Sequence, residues 1–336
     1  MDCTVAATHT PAVPHLPRAS AGFDPPPPET LAALGALTAS LDERLPAKVV
    51  DRNLLIGTWN LANFARVTKR WDSRPNDNPR RNLQDLCCIA EVVSRFDVVA
   101  LVEVKRNLEA FRLLLQILGP DWGFIVSDTT EGDPGHDERL GYVFDLRRVR
   151  PSGLVGEVVI PDASLAAPDA VIRKQFARTP YSVSFHAGSK TFTLVTLHIL
   201  YGDKPADRTP ELRGIAKWLA EHADDPDEFN RNFIALGDFN IDRHDDPNWR
   251  AFVVEYGLSP PYELMDVPRT VGDTQSLHSY FDQIAWFTKG PRAALTLRYR
   301  NAGGFIWTDA LLTDLPQTTK QARISDHYPL WAEFEL

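Results

Sequence analysis

The chain has 336 residues, 43% of them hydrophobic, with 17 Phe and 8 Trp, enough for a substantial core in one large domain or two ordinary ones. Its 36 basic and 45 acidic side chains leave a formal charge of −9, which excludes an all-over basic surface for gripping nucleic acid but not a local basic groove. Three cysteines, Cys3, Cys87 and Cys88, two of them adjacent, exclude a disulfide framework or a zinc cluster.

The first 24 residues or so are rich in Ala, Pro and Thr and read as disordered, with no signal peptide. No apolar run is long enough to span a bilayer, so the expected location is cytoplasmic. Pro25 to Pro28 form a stiff stub, and Leu31, Leu34, Leu37, Leu41 and Leu45 then recur at the intervals of an amphipathic helix. Residues 1–48 therefore read as an appendage, and 49–336 as a catalytic body. In that body "NLLIGTW" and "DVVALVEV" are buried strands, separated by the helical "RRNLQDLCCIAEVVSRF". "NLEAFRLLLQIL" is helical, and "WGFIVSD", "ERLGYVFD" and "GLVGEVVI" are strands. "YSVSFHAGSKTFTLVTLHI" is a hairpin turning at Gly188, and "RTPELRGIAKWLAEHA" is a helix with Pro210 in its first turn. "NFIALGD", "YFDQIAWF" and "YPLWAEFEL" supply the last strands, and 289–323, without a clear pattern, reads as an insertion. The sum is a mixed α/β sandwich.

Polar side chains sit at the ends of these buried strands: Asn60, Glu103, His198, Asp238 with Asn240, Asp282, and Asp326 with His327. Burying so many carboxylates is costly unless a cation or protonated histidines compensate them. Asp238, Asn240 and Asp242 have the spacing of a calcium loop. An EF-hand, however, needs Gly at its sixth position and Glu at its twelfth, where Arg243 and Trp249 stand. That reading fails.

Taken in order, "TWN", "VEV", "DERLGYVFD", "FARTP", "LHI", "GDFN", "YFDQI" and "SDH" resemble the endonuclease/exonuclease/phosphatase superfamily, in its DNase I-like branch, over about residues 53–336. The resemblance implies a four-layer sandwich, two central mixed β-sheets flanked by helices, and metal-dependent phosphoester hydrolysis at one end. It implies Glu103, Asn60 and Asp326 as ligands of Mg²⁺ or Mn²⁺, for which thiol-free oxygen donors are suited. Asp238 and Asn240 would position water and phosphate. His327, oriented by Asp238 or Asp282, matches the water-activating base. His198 matches the phosphate-contacting histidine, paired with Glu138. Arg178, Lys105 and Tyr142 fall where substrate contacts are expected, with a salt bridge to the scaffold as the other reading of Arg178 and packing as that of Tyr142. Ala62 departs from the basic residue that DNA-cleaving members carry two places after the asparagine.

Two loops have two readings each: the first binds the phosphate backbone or is a solvated loop with its arginines in surface ion pairs, and the second shapes substrate choice or merely connects two elements. Residues 64–81 hold six basic side chains, Arg70 among them, against Asp72 and Asp77, a local charge of +4 with Trp71 as a stacking surface. Residues 197–208 bring Tyr201, Lys204 and Arg208 beside His198. The expectation is a divalent-metal-dependent phosphodiester hydrolase, a nuclease acting on DNA or RNA. The alternatives are a phosphatase or phosphodiesterase on a phosphorylated lipid, inositol or small nucleotide, and an inactive binding module.

Overall fold

A computed structural model describes residues 14–18, 22–130, 135–273 and 279–336. Most of the segment expected to be disordered, including Cys3, lies outside them. The described part of that segment packs: Leu16 and Phe23 lie against the core, and the His15 amide donates to Glu91.

In chain order the strands are β1 (Asn53–Phe64), β2 (Val98–Lys105), β3 (Trp122–Val126), β4 (Glu138–Asp145), β5 (Arg150–Glu157) and β6 (Tyr181–Ala187). They continue with β7 (Lys190–His198), β8 (Phe233–Ile241), β9 (Leu258–Ser259), β10 (Tyr280–Phe287), β11 (Arg298–Gly304) and β12 (Leu330–Glu335). The helices are α1 (Pro28–Arg44), α2 (Leu83–Val93), α3 (Glu109–Leu118), α4 (Asp162–Ala166), α5 (Thr209–Asp224), α6 (Pro247–Trp249) and α7 (Gln317–Arg323). Two six-stranded sheets form, ordered β11-β12-β1-β2-β4-β3 and β5-β6-β7-β8-β10-β9. Both are mixed, because β1–β2 and β7–β8 run parallel while the other pairs are antiparallel. This is the DNase I-like sandwich.

Strand alternation sorts the side chains into layers. Leu54 and Ile56 of β1, Val98, Ala100 and Val102 of β2, and Tyr142 and Phe144 of β4 meet Phe192, Leu194, Ile234, Leu236 and Ile284 between the sheets. The other face of the first sheet, with Leu55, Trp59, Val99 and Leu101, packs under α1, α2 and α3. The other face of the second, with Val195, Leu197 and Ala235, packs under α5. The leucine stripe of α1 is no loose appendage, since Leu34, Leu37 and Leu41 are fully buried in the layer that α2 also fills.

Residues 289–323 are not an insertion. Within them β11 completes the edge of the first sheet beside β12, and α7 is tied to α2 by the Arg323–Asp85 ion pair at 2.8 Å. The period-two signal is missing because the pairing of β11 with β12 slips between Tyr299 and Asn301, which interrupts the alternation, while Tyr299 and Ala302 pack on the inter-sheet core.

Candidate active site

The inward-facing register of each strand continues past the end of the apolar core, and there the polar residues begin. Asn60 is in phase with Leu54 and Ile56, and Glu138 with Tyr142 and Phe144. His198 is in phase with Phe192 and Leu194, Asp238 and Asn240 with Ile234 and Leu236, and Asp282 with Ile284. All six are buried. Glu138, His198, Asp238 and Asn240 line a cleft of about 360 Å³ together with Glu103, Lys105, Arg178, Tyr201, Asp326 and Phe281.

Glu103 reaches the cleft by breaking phase. Val99 and Leu101 face the helices, so simple alternation would send residue 103 there too. The register with β4 slips between Leu101 and Val104, and Glu103 adopts φ +61°. Val104 takes the helix-facing place instead. A matching slip between Asn60 and Phe64 puts Ala62 and Asn63 in the left-handed region. Asn240 has φ +50° as well. Of the nine non-glycine residues with left-handed φ among the described residues, six are cleft-lining residues or their chain neighbours. Strain of this kind costs about 1–3 kcal/mol per residue, and bulges beside a cleft serve to re-aim side chains. Gly237, at φ +129°, is obligatory, because a Cβ there would lie 2.1 Å from the Leu197 carbonyl oxygen.

Polar contacts knit the cleft together, and Asn60–Asp238 and Glu138–His198 cross from sheet to sheet. The Asn60 amide donates to Glu103 and to Asp238, each at 3.1 Å. His327 Nδ1 lies 2.6 Å from Asp282 Oδ2, so Asp282 rather than Asp238 is the partner that orients this ring. Asp238 Oδ2 is 3.9 Å from His327 Nε2 and 3.7 Å from His198 Nε2, between the two rings. On the far side His198 Nδ1 is 2.8 Å from Glu138 Oε2. The same oxygen is ion-paired with Arg178 Nε at 2.6 Å, and Lys105 Nζ donates to Oε1 at 2.8 Å.

These neighbours set the charges. Burial alone would raise Glu138, but His198, Arg178 and Lys105 hold it at about 2. Burial disfavours the His327 imidazolium, yet Asp282, Asp238 and Asp326 outweigh it and lift His327 to about 10. Burial pushes Asp282 up to about 6, with His327 opposing. The His327–Asp282 pair is thus an imidazolium facing a carboxylate at neutral pH.

A hard divalent cation fits the Glu103 side of the cleft. Asp326 Oδ1 is buried without a hydrogen-bond partner, 3.9 Å from His327 Nε2, and Glu103 and Asp326 both line the cleft, beside Asn60, whose NH2 faces Glu103 while its Oδ1 accepts from the Ala62 amide. Glu103, Glu138 and His198 also bring ligand atoms within 4.8 Å of one another. Both Glu138 oxygens, however, already face cationic or histidine partners.

Some expected contacts fall elsewhere. Tyr142 lies on the same face as Glu138 but four residues deeper, within the inter-sheet core. Its hydroxyl bonds the Leu194 and Tyr181 carbonyls and the Thr196 amide, so it cannot touch a substrate. Arg70 is engaged by Asp77 at 2.5 Å and is not among the cleft-lining residues. Trp71 donates to the Asp24 carbonyl and packs on the outer core. Arg81 is buried and donates to the carbonyls of Leu61, Ala62, Arg323 and Ile324, and Arg80 bonds Thr319. The basic loop therefore uses its arginines largely as scaffold. Arg81 clamps the bulge after Asn60 to the segment before Asp326.

Sequence reading missed Arg81 in that role, and it missed Ser325, whose hydroxyl bonds the Asn60 carbonyl at 2.6 Å and receives the His327 amide at 2.9 Å. Trp59 and Trp307 both donate to the His327 carbonyl, at 3.0 and 3.1 Å. Ser325 and Trp59 belong to the quoted motifs "SDH" and "TWN", which were the available signal. Asp246 caps α6 by accepting from the Trp249 amide.

A larger hollow of about 600 Å³, lined by Asp51, Arg147, Arg148, Arg150, His186 and Leu336, lies near the start of β1, at the other end of the strand from Asn60. Its Arg147 and Arg148 are paired with Asp145 and Asp97. It holds no arrangement of this kind.

Residues 57–327 match the profile of the Endonuclease/Exonuclease/phosphatase family. A curated deoxyribonuclease of Thioalkalivibrio sp. (strain K90mix) is 29% identical over 168 residues, which span 48% of this chain and 43% of that one. Among solved structures, an endonuclease/exonuclease/phosphatase family protein from Bacteroides thetaiotaomicron aligns with a TM-score of 0.54 at 19% identity, covering 84% of this chain and 98% of that one. A mannosyl-6-phosphatase of the same organism gives 0.53 at 17%, covering 84% and 99%. D. rerio TDP2 complexed with a single-strand DNA product gives 0.51 at 15%, again 84% and 99%. At these identities the structures share the fold. The profile match, over most of the chain, carries the assignment: this protein belongs to the endonuclease/exonuclease/phosphatase family, whose members are divalent-metal-dependent hydrolytic phosphoesterases.

Proposed function

We propose that this protein is a phosphodiester hydrolase that cleaves nucleic acid, DNA in the first instance, with Mg²⁺ or Mn²⁺ held by Glu103, Asp326 and Asn60. The observation that carries this reading is Asp238 lying between two histidines, each held from behind by a buried carboxylate. The bound cation would polarise a phosphoryl oxygen and stabilise its developing charge. Asp282 fixes the tautomer and orientation of His327, whose Nε2 faces Asp238 across 3.9 Å, where a water is held and gives up its proton. Asp326 is one of the three carboxylates that raise His327, so a cation bound there would favour the neutral ring that acts as base. Asn240, its amide tied to the Ile199 carbonyl at 2.7 Å, is rigid enough to orient the phosphate with Asp238. His198, Arg178 and Lys105 form the cationic side, and His198 assists the leaving oxygen. The deoxyribonuclease relative supports DNA as the substrate.

The test is hydrolysis by purified protein of plasmid DNA, single-stranded DNA, RNA and an inositol-phosphate panel, with Mg²⁺, Mn²⁺ or chelator. Nucleic acid should be cleaved, chelator should abolish cleavage, and Glu103→Gln should not respond to metal. Turnover confined to the inositol phosphates would replace the nuclease reading with a phosphatase. Full activity of Glu103→Gln would remove the metal assignment.

A further inference from the structure

The rim of the cleft carries one exposed aromatic ring built as a platform. Tyr201 follows β7 and His198, lines the cleft and remains 55% exposed. The Arg208 guanidinium lies 4.2 Å from its ring centroid. Arg208 is itself only 2% exposed and does not move freely. Its Nε donates to the Tyr201 carbonyl at 2.7 Å, and its Nη1 to the Asn240 carbonyl at 2.8 Å and to Asp242 at 2.7 Å. Tyr201 and Phe281 are in T-shaped contact at 6.4 Å and 80°, and Phe281 continues to His327 at 6.3 Å. Gly202, at φ +67°, makes the turn that presents the ring, and a Cβ there would collide with Asp207. An exposed aromatic costs free energy in water, and this one is fixed to the same backbone as Asn240.

We propose that Tyr201 is a stacking platform for an unpaired nucleobase next to the scissile phosphate, and that the protein therefore selects single-stranded over duplex nucleic acid. This rests on the nuclease reading above. A base within a duplex already has both faces covered by its neighbours, so only an unstacked base can lie on the ring. Guanidinium backing on one side leaves a flat apolar surface on the cleft side, as a sequence-tolerant base contact requires. On the other side of the cleft part of the basic loop is withheld from a second strand, although Arg66 and Arg74 are exposed. Ala62 and Asn63 are uncharged, and Arg70, Arg80 and Arg81 are engaged within their own scaffold.

The test compares kcat/KM of wild type, Tyr201→Ala, Tyr201→Leu and Tyr201→Phe on three substrates. These are a single-stranded oligonucleotide, its duplex, and a strand of equal length built from tetrahydrofuran abasic units. Wild type should prefer the base-bearing single strand. Tyr201→Ala and Tyr201→Leu should lose about tenfold on it, and much less on the abasic strand, whereas Tyr201→Phe should retain the preference. In chelator, 2-aminopurine in the strand should be quenched by wild type and Tyr201→Phe but not by Tyr201→Leu. Equal losses on base-bearing and abasic strands, or wild-type turnover of duplex as fast as single strand, would overturn the platform and leave the nuclease reading standing. No hydrolysis of any strand would bring down the nuclease reading, and the platform with it.

Discussion

At the scale of single residues, the candidate centre is made by two histidines with opposite surroundings. His198 shares Glu138 with two permanent cations, Arg178 and Lys105, whereas His327 is enclosed by three carboxylates. The first is suited to meet an anion and the second to hold a proton. His327→Ala should therefore lower kcat by about a hundredfold or more, the loss expected when a general base is removed. Single-turnover rates on a cleavable oligonucleotide check this, and a changed KM with kcat intact would show the role to be misassigned. Sequence placed both histidines at strand ends, but it left open whether Asp238 or Asp282 orients His327. The answer depends on β10 pairing beside β8, a register between segments more than 40 residues apart.

At the scale of elements, the bulges in β1 and β2 perform the re-aiming, and α1 buttresses the layer behind them. Leu37 of α1 is fully buried against the α2 layer. Leu37→Ala should cost about 2–5 kcal/mol through lost burial and the cavity left behind, with hydrolysis per folded molecule unchanged. Urea unfolding with the activity of the native fraction measures both. A loss under 1 kcal/mol would mean that α1 docks only loosely. The leucine spacing of α1 was legible because helical periodicity is local. β11 was not, because a slip in its pairing with β12 between Tyr299 and Asn301 interrupts its alternation.

At the scale of the whole molecule, the site is also the seam that joins the sheets at one end. Glu138 and Lys105 belong to the first sheet, and His198 to the second. With its carboxyl held at about 2 against the ordinary 4.5, Glu138 contributes stability in full above about pH 4.5 and loses it as pH falls through about 2. The contribution is about 3 kcal/mol by the usual conversion. The gap in melting temperature between wild type and Glu138→Gln should thus be widest near pH 6 and narrow toward pH 3. A gap that stays constant across that range would separate Glu138 from the acid response.

The sequence by itself determined the layered α/β class, most strand positions and the motif residues from Asn60 to His327, because alternation and turn chemistry are written in neighbouring residues. It also showed that the acids after Gly237 were no calcium loop. Only the tertiary structure decided which polar residues meet. Glu138 and Tyr142 share one face of one strand, yet depth alone puts the first in the cleft and the second in the core. The arginines of 64–81 look alike in sequence, yet Arg81 is buried as a clamp while Arg70 pairs within its own loop. Glu103 enters the cleft through a slip in pairing with β4 that no periodicity announces. Burial and register are properties of packed strands, and a linear pattern does not contain them.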